Sequence, residues 1–291
     1  MAEIQESIEQ QYYWGVPDSP IDWCENNYEI SPFICEFYNT FSSFIISFFA
    51  LYGIYLLTSI SMSRDEYTTQ HIKIVKQVGI RAKVLLSYSS LAVVGVGSAF
   101  YHATLLYKNQ LFDEFPMIVT ASLFIYCLLT MEPVSKSDSK YYQIFRWLLP
   151  YALVTYFLIV STTIFIIRNV PTILQVSFGV LIVSNVIIST LHVRGLNQDY
   201  SVSNQKKLLT YCTVSMLIAY FSWLAERKLC NEYGYVIPGL QLHAVWHALT
   251  GLAGFYWVQF YICSILEKNQ YKTNIIWNWG VASINGYFKS S

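Results

Sequence analysis

The sequence predicts an all-α integral membrane protein, a seven-transmembrane helix bundle with its N-terminus lumenal or extracellular and its C-terminus cytosolic. Three observations predict it. Hydrophobic residues make up 54% of the 291 residues and charged ones 12%, where an average soluble domain carries about 25% charged residues. Seven separate stretches come close to or exceed the ~20 apolar residues needed to cross a bilayer. Lysine and arginine fall almost entirely in alternate connectors, as the positive-inside rule describes. The formal net charge of zero gives no reason to expect nucleic acid or an acidic partner.

Residues 1–37 form a polar, acidic tail without the apolar core of a signal peptide, so the first span acts as signal-anchor. The expected spans are Tyr38–Ile60, Val84–Tyr107, Phe112–Met131, Phe145–Ile167, Ile173–His192, Leu208–Ala225 and Gly239–Leu266. Pro116, Pro150 and Pro171 are placed near helix starts, where a missing N–H costs least. Residues 38–266 thus make one transmembrane domain, residues 267–291 a cytosolic tail, and the connectors are too short for a second domain. Of the 18 Lys and Arg residues, fourteen lie on one side: five in the 61–83 connector, then Lys136, Lys140, Arg146, Arg194, Lys206, Lys207, Lys268, Lys272 and Lys289. Lys108, Arg168, Arg227 and Lys228 make up the other side.

With this topology, odd residues converge on the lumenal end. The second span brings His102 there within SAFYHATLLYKNQLFDEFP, and the third opens with Asp113 and Glu114. The seventh opens with QLHAVWHALTG, which places His243 and His247 on one helix face, a turn apart. Ser98 stands in the same relation to His102. Three neutral imidazoles with one open position are the ligand set of a catalytic zinc, whereas a hard cation would want oxygen. A single histidine near an interface is ordinarily a structural hydrogen-bonder; the matched depth of three sets these apart, and ionisable groups inside a membrane point to function. HAVWH lacks the Glu of the H-E-x-x-H metalloproteases, so a base must come from elsewhere. Asp113 is the first candidate and Glu114 the second, and either could instead be a carboxylate favoured at a helix N-terminus. His71 and His192 fall on the cytosolic side as structural or solvated residues.

The tail carries a second cluster, DSPIDWCENNYEISPFICEF, with Asp18, Asp22, Glu25, Asn26, Asn27, Glu29 and Glu36 and no cation. Closely spaced carboxylate and amide oxygens suit calcium, although the EF-hand order is missing and composition alone equally describes a solvated acidic tail. Of six cysteines, Cys127, Cys212 and Cys263 lie in spans as small apolar residues. Cys24, Cys35 and Cys230 face the compartment where disulfides persist, and Cys24 and Cys35 are both open as partners for Cys230.

These residues resemble the alkaline ceramidase family, within a wider group of seven-span hydrolases that includes the adiponectin receptors. The likeness covers nearly the whole chain. It rests on WG-x-P-x-S-x-x-DWCE-x-N-Y, on S-x-x-x-H with Asp eleven residues after the His, and on QLHAVWHALTG. It implies zinc on His102, His243 and His247, with Ser98 and Asp113 beside the metal. It also implies calcium on Asp22, the Trp23 carbonyl, Glu25, Asn27 and Glu36, and a disulfide between Cys24 and Cys230. The short segment from Cys230 to His243 points to a fungal-type branch. The implied activity is zinc-dependent hydrolysis of the ceramide amide to a sphingoid base and a fatty acid, with Asp113 moving the proton and Ser98 steadying the oxyanion. The implied setting is a multi-pass protein of the endoplasmic reticulum or Golgi membrane, with a ceramide-type lipid and the bilayer as partners and no nucleic acid or obligate protein partner.

Three other readings compete. A seven-span lipid receptor would coordinate its zinc fully through protein, without an open position. A haem carrier using His243 or His247 would be coloured. A transporter would need paired broken helices, and none is legible.

Overall fold

The computed structural model describes residues 12–58, 66–133, 135, 137–167, 170–195, 202–233 and 241–287. Arg64, Lys136, Arg168 and Lys289, counted above for orientation, lie outside the described residues, as do 59–60 of the expected first span and 239–240 of the seventh. Eight helices occur among the described residues: α1 Phe37–Thr58, α2 Glu66–Gln77, α3 Arg81–Thr104, α4 Tyr107–Leu129, α5 Lys140–Ile166, α6 Thr172–Gly195, α7 Val202–Tyr233 and α8 Leu242–Lys268. All but α2 are long and apolar enough to cross a membrane, in agreement with the seven expected spans.

Four boundaries depart from expectation by five residues or more. Helix α4 starts at Tyr107, not Phe112, because Asp18 accepts a hydrogen bond from the Tyr107 amide at 2.7 Å and caps the end. Helix α5 starts at Lys140, where the Ser139 side chain accepts from the Tyr142 amide at 3.2 Å. Pro116 and Pro150 consequently sit inside their helices, not at the starts. Helix α7 outruns the apolar stretch at both ends because its polar ends have partners. Gln205 donates to Glu267 at 2.7 Å, and Glu226 accepts from the Cys24 amide at 3.3 Å.

Helix α8 is the central element, buried nearly without interruption from Phe255 to Glu267. Small residues let α1 lie against it and against α3. A Cβ on Gly251 would come 2.7 Å from Ile46 Cα, and one on Gly95 would meet the Ser43 carbonyl at 2.8 Å. Helix α5 is peripheral, burying only Leu149, Val160 and Ile164.

At the end of the bundle away from the histidine pair, cations close helix α4. Lys83 donates to the Thr130 carbonyl at 2.8 Å and Arg146 to the Leu129 carbonyl at 2.9 Å, which complements a helix C-terminus. Lys268 pairs with Glu132 at the same end. Beyond α8 the chain forms a hairpin, β1 Lys272–Asn278 and β2 Val281–Tyr287, in register Lys272↔Tyr287 to Asn278↔Val281. Its two-residue turn, Trp279–Gly280, has both φ angles positive, as the right-handed twist of a hairpin favours. Strand β2 is buried against α2 and α8. The Ile284 amide donates to Gln259 at 2.7 Å and the Gly286 amide to His71 Nδ1 at 3.0 Å. Neither α2 nor this hairpin is legible as an apolar run.

Candidate active site

The last turn of a helix leaves carbonyls without donors, and at the end of α3 the N-terminal tail supplies them. Cys35 N donates to the Ala103 carbonyl at 2.9 Å, Glu36 N to the His102 carbonyl at 3.0 Å and Ser19 N to the Leu105 carbonyl at 3.1 Å. These bonds lay Glu36 over His102, whose Nδ1 donates to Glu36 Oε2 at 2.5 Å. The imidazole is thereby fixed with Nε2 as its remaining nitrogen, and that nitrogen is buried without a partner.

Helix α8 delivers the other two rings. Trp23 stacks on His243 at a centroid distance of 3.6 Å. Glu226 lies beside the same turn. His247 Nδ1 lies 2.8 Å from Ser42 Oγ, and His243 Nδ1 is buried without a partner. The donor atoms of His102, His243 and His247 all lie within 4.8 Å of one another, and each ring is 3% exposed or less. A buried nitrogen without a partner costs about 1–3 kcal/mol, so converging nitrogens of this kind call for something to bind. Three neutral imidazoles fit zinc with a position left open. The histidines expected to meet do meet.

Ser98 Oγ is 3.4 Å from His247 Nε2, and Asp113 lies beside Ser98. Ser98 thus lies against His247, and Asp113 against Ser98. Glu114 Oε1 accepts from Gln110 at 2.6 Å, four residues back on its own helix, and its other oxygen is buried without a partner. Of the two candidate bases, Asp113 is the one beside Ser98.

The tail acids have definite places. Asp18 caps α4. Glu25 accepts from the amides of Tyr38 at 2.6 Å and Asn39 at 2.9 Å, capping α1. Asp22 accepts from the Asn27 amide group at 3.3 Å. Glu36 also accepts from the Trp23 amide at 3.2 Å and the Asn39 amide group at 3.2 Å. Burial raises the pKa of Asp22, Glu25 and Glu36, with hydrogen bonds opposing it and the neighbouring carboxylates adding to it at Glu25 and Glu36. None of the three pairs with a lysine or arginine among the described residues. Crowded carboxylate oxygens without a counter-charge, buried at Glu25 and Glu36, are a donor set that fits a hard cation, although their atoms do not converge as the histidine nitrogens do. Cys24 and Cys230 form a disulfide with a Cα separation of 5.6 Å, which settles the pairing left open between Cys24 and Cys35. Cys35 is a free, buried thiol. His71 is buried in the hairpin contact and His192 half-buried on α6, both away from the centre.

Reading the sequence missed Ser42, Ser43, Asn39 and Glu226. The only signal was polar residues within otherwise apolar helices: a Ser-Ser pair in the first span and an acid late in the sixth.

The family model described as Ceramidase matches residues 15–287. The Dictyostelium discoideum protein named "Putative alkaline ceramidase dcd3B" is 64% identical over 96% of this chain and 98% of its own. Mouse alkaline ceramidase 3 is 30% identical over 94% of each chain. The Saccharomyces cerevisiae alkaline ceramidase YPC1 is 29% identical over 92% of this chain and 84% of its own.

Proposed function

The chain belongs to the ceramidase family, and from that premise we propose that it hydrolyses the amide bond of a ceramide with zinc held by His102, His243 and His247. The observation that carries the proposal is the convergence of three buried imidazoles beside Ser98 and Asp113. When bound there, zinc supplies Lewis acidity, polarising the carbonyl and making a nearby water more acidic. Asp113 orients that water and takes its proton as the new C–O bond forms. Ser98 Oγ–H donates to the carbonyl oxygen as negative charge gathers on it, an interaction worth about 3 kcal/mol per donor in other enzymes. Asp113 then gives the proton to the nitrogen as the C–N bond breaks, releasing a sphingoid base and a fatty acid. Glu36 holds His102 with Nε2 inward throughout, and Trp23 covers His243.

Calcium is proposed for the tail, on the side chains of Asp22, Glu25, Asn27 and Glu36 and the Trp23 carbonyl. Its charge would relieve the crowding that burial imposes on these carboxylates. The proposed setting is an endoplasmic reticulum or Golgi membrane with the tail lumenal, residues 38–266 as the catalytic domain and residues 267–291 cytosolic. The fourteen-to-four distribution of cations and the Cys24–Cys230 disulfide support this orientation. A glycosylation acceptor placed in the tail should be modified in cells, and one placed after α8 should not.

Metal analysis of the purified protein together with ceramide turnover tests the reaction. The native chain should carry about one zinc and release fatty acid. His102→Ala, His243→Ala and His247→Ala should each lose both. Full turnover in a metal-free preparation would end the proposal.

A further inference from the structure

The first span offers no metal ligand, yet it touches the centre at two adjacent residues. Ser42 and Ser43 lie in the second turn of α1, both buried. Ser42 Oγ is 2.8 Å from His247 Nδ1 and donates to the Asn39 carbonyl at 3.1 Å. Ser43 Oγ is 2.7 Å from the same carbonyl and 3.1 Å from Ser98 Oγ. The close approaches at Gly251 and Gly95 lie one turn beyond His247 and one turn before Ser98, so the backbones themselves hold the serines against their partners.

We infer that Ser42 and Ser43 are positioning residues with separate tasks: Ser42 fixes His247 for the metal, and Ser43 aligns the Ser98 hydroxyl for the reaction. The inference rests on the zinc reading above. A histidine that gives Nε2 to a metal must carry its proton on Nδ1, and an acceptor at Nδ1 fixes both tautomer and ring plane. Ser42 Oγ is that acceptor, and its own proton is taken by the Asn39 carbonyl. The lone pair on Ser42 therefore faces His247 and its donor faces away. Asn39 is in turn anchored by Glu25 at its amide and by Glu36 at its side chain, so the residue that orients Ser42 is itself held by the tail.

Ser43 Oγ also lies 3.4 Å from His247 Nδ1, but Ser42 at 2.8 Å is the closer acceptor there; with Nδ1 carrying its own proton, the one proton of Ser43 has two acceptors in reach, the Asn39 carbonyl and Ser98 Oγ. With the proton on Ser98 Oγ, the Ser98 proton is directed to Asp113 in the resting state and to the carbonyl oxygen during the reaction. Loss of Ser43 leaves the Ser98 hydroxyl free to turn its proton toward the wrong partner, while His247 keeps its closer contact with Ser42.

The two tasks separate by measurement. Zinc content and the rate of zinc loss to an excess of chelator are measured for detergent-purified native protein, Ser42→Ala, Ser42→Thr, Ser43→Ala and Ser43→Thr, with kcat and KM for ceramide alongside. Ser42→Ala should weaken zinc retention about 10–100-fold, the usual effect of removing a partner of a metal-bound histidine, and Ser42→Thr should restore it. Ser43→Ala should keep native zinc retention and KM while kcat falls about tenfold, within the range seen on losing one hydrogen bond of about 1–1.5 kcal/mol, and Ser43→Thr should recover it. Should Ser42→Ala not fold, Ser42→Cys keeps the volume with a poor acceptor and takes its place. Native zinc retention in the Ser42 variant, or an unchanged kcat or zinc loss in Ser43→Ala, overturns the inference. A native protein that binds no zinc instead overturns the reading on which it rests.

Discussion

Asp113 and Ser98 stand side by side on neighbouring helices, and the proposed reaction gives them different tasks. Asp113→Asn keeps the shape but cannot accept a proton, so kcat should fall about 10²–10⁴-fold with zinc content unchanged. Ser98→Ala should cost about 3 kcal/mol of transition-state stabilisation, again with the metal retained. Stopped assays paired with metal analysis check both, and loss of metal in either would reassign that residue to the ligand shell. At this scale the sequence was readable where spacing carries meaning. His243 and His247 are four apart on one helix, and topology alone put His102 at their depth. Ser42, Asn39 and Glu226 were not readable, because their importance comes from contacts across helices that no spacing encodes. Asp18 and Glu25 could be read as acids but not as helix caps, since each caps a helix that starts many residues later.

Two elements have pH dependences of opposite sign. In the tail, Asp22 and Glu25 have raised pKa values, with burial the main cause. The folded tail therefore binds more protons than the unfolded one, and its docking weakens as pH rises through the raised values. Calcium should abolish that weakening. Trp23 fluorescence followed from pH 4 to 8 (roughly the range spanned by unperturbed and raised carboxylates), with and without calcium, checks it; a slope unaffected by calcium would remove the tail site. In the hairpin, burial lowers His71 to about 4 from 6.5. The neutral ring accepts from the Gly286 amide, so this stability is present above pH 6.5 and is lost as pH falls toward 4. The full effect is about 3.5 kcal/mol at ~1.4 kcal/mol per pH unit. Protease cleavage within β1–β2 should rise in acid, and His71→Gln, which keeps an acceptor without titrating, should flatten the response. Neither element could be drawn beforehand: the hairpin's apolar residues are too few to register, and the tail's order comes from the carbonyls at the end of α3.

Across the whole molecule, the seven spans were legible because burial in lipid demands long apolar helices, and composition alone reports that. Their packing was not, since it depends on which glycines face which backbone. The parts that make the centre come from both ends of the chain: the tail, α1, α3 and the start of α4 in the first half, α7 and α8 near the end. The Cys24–Cys230 disulfide spans 206 residues, which sets a schedule for biogenesis. At ~5–20 residues per second, Cys24 waits roughly 10–40 s for its partner to be synthesised, and for all of that time Cys35 is the nearer thiol. Premature closure of the small loop would trap the chain before its last helix is inserted. A pulse-labelled Cys35→Ser chain should therefore reach the oxidised form sooner than the native one, and equal rates would show that Cys35 is already sequestered by the newly made end of α3 while the ribosome is still at work.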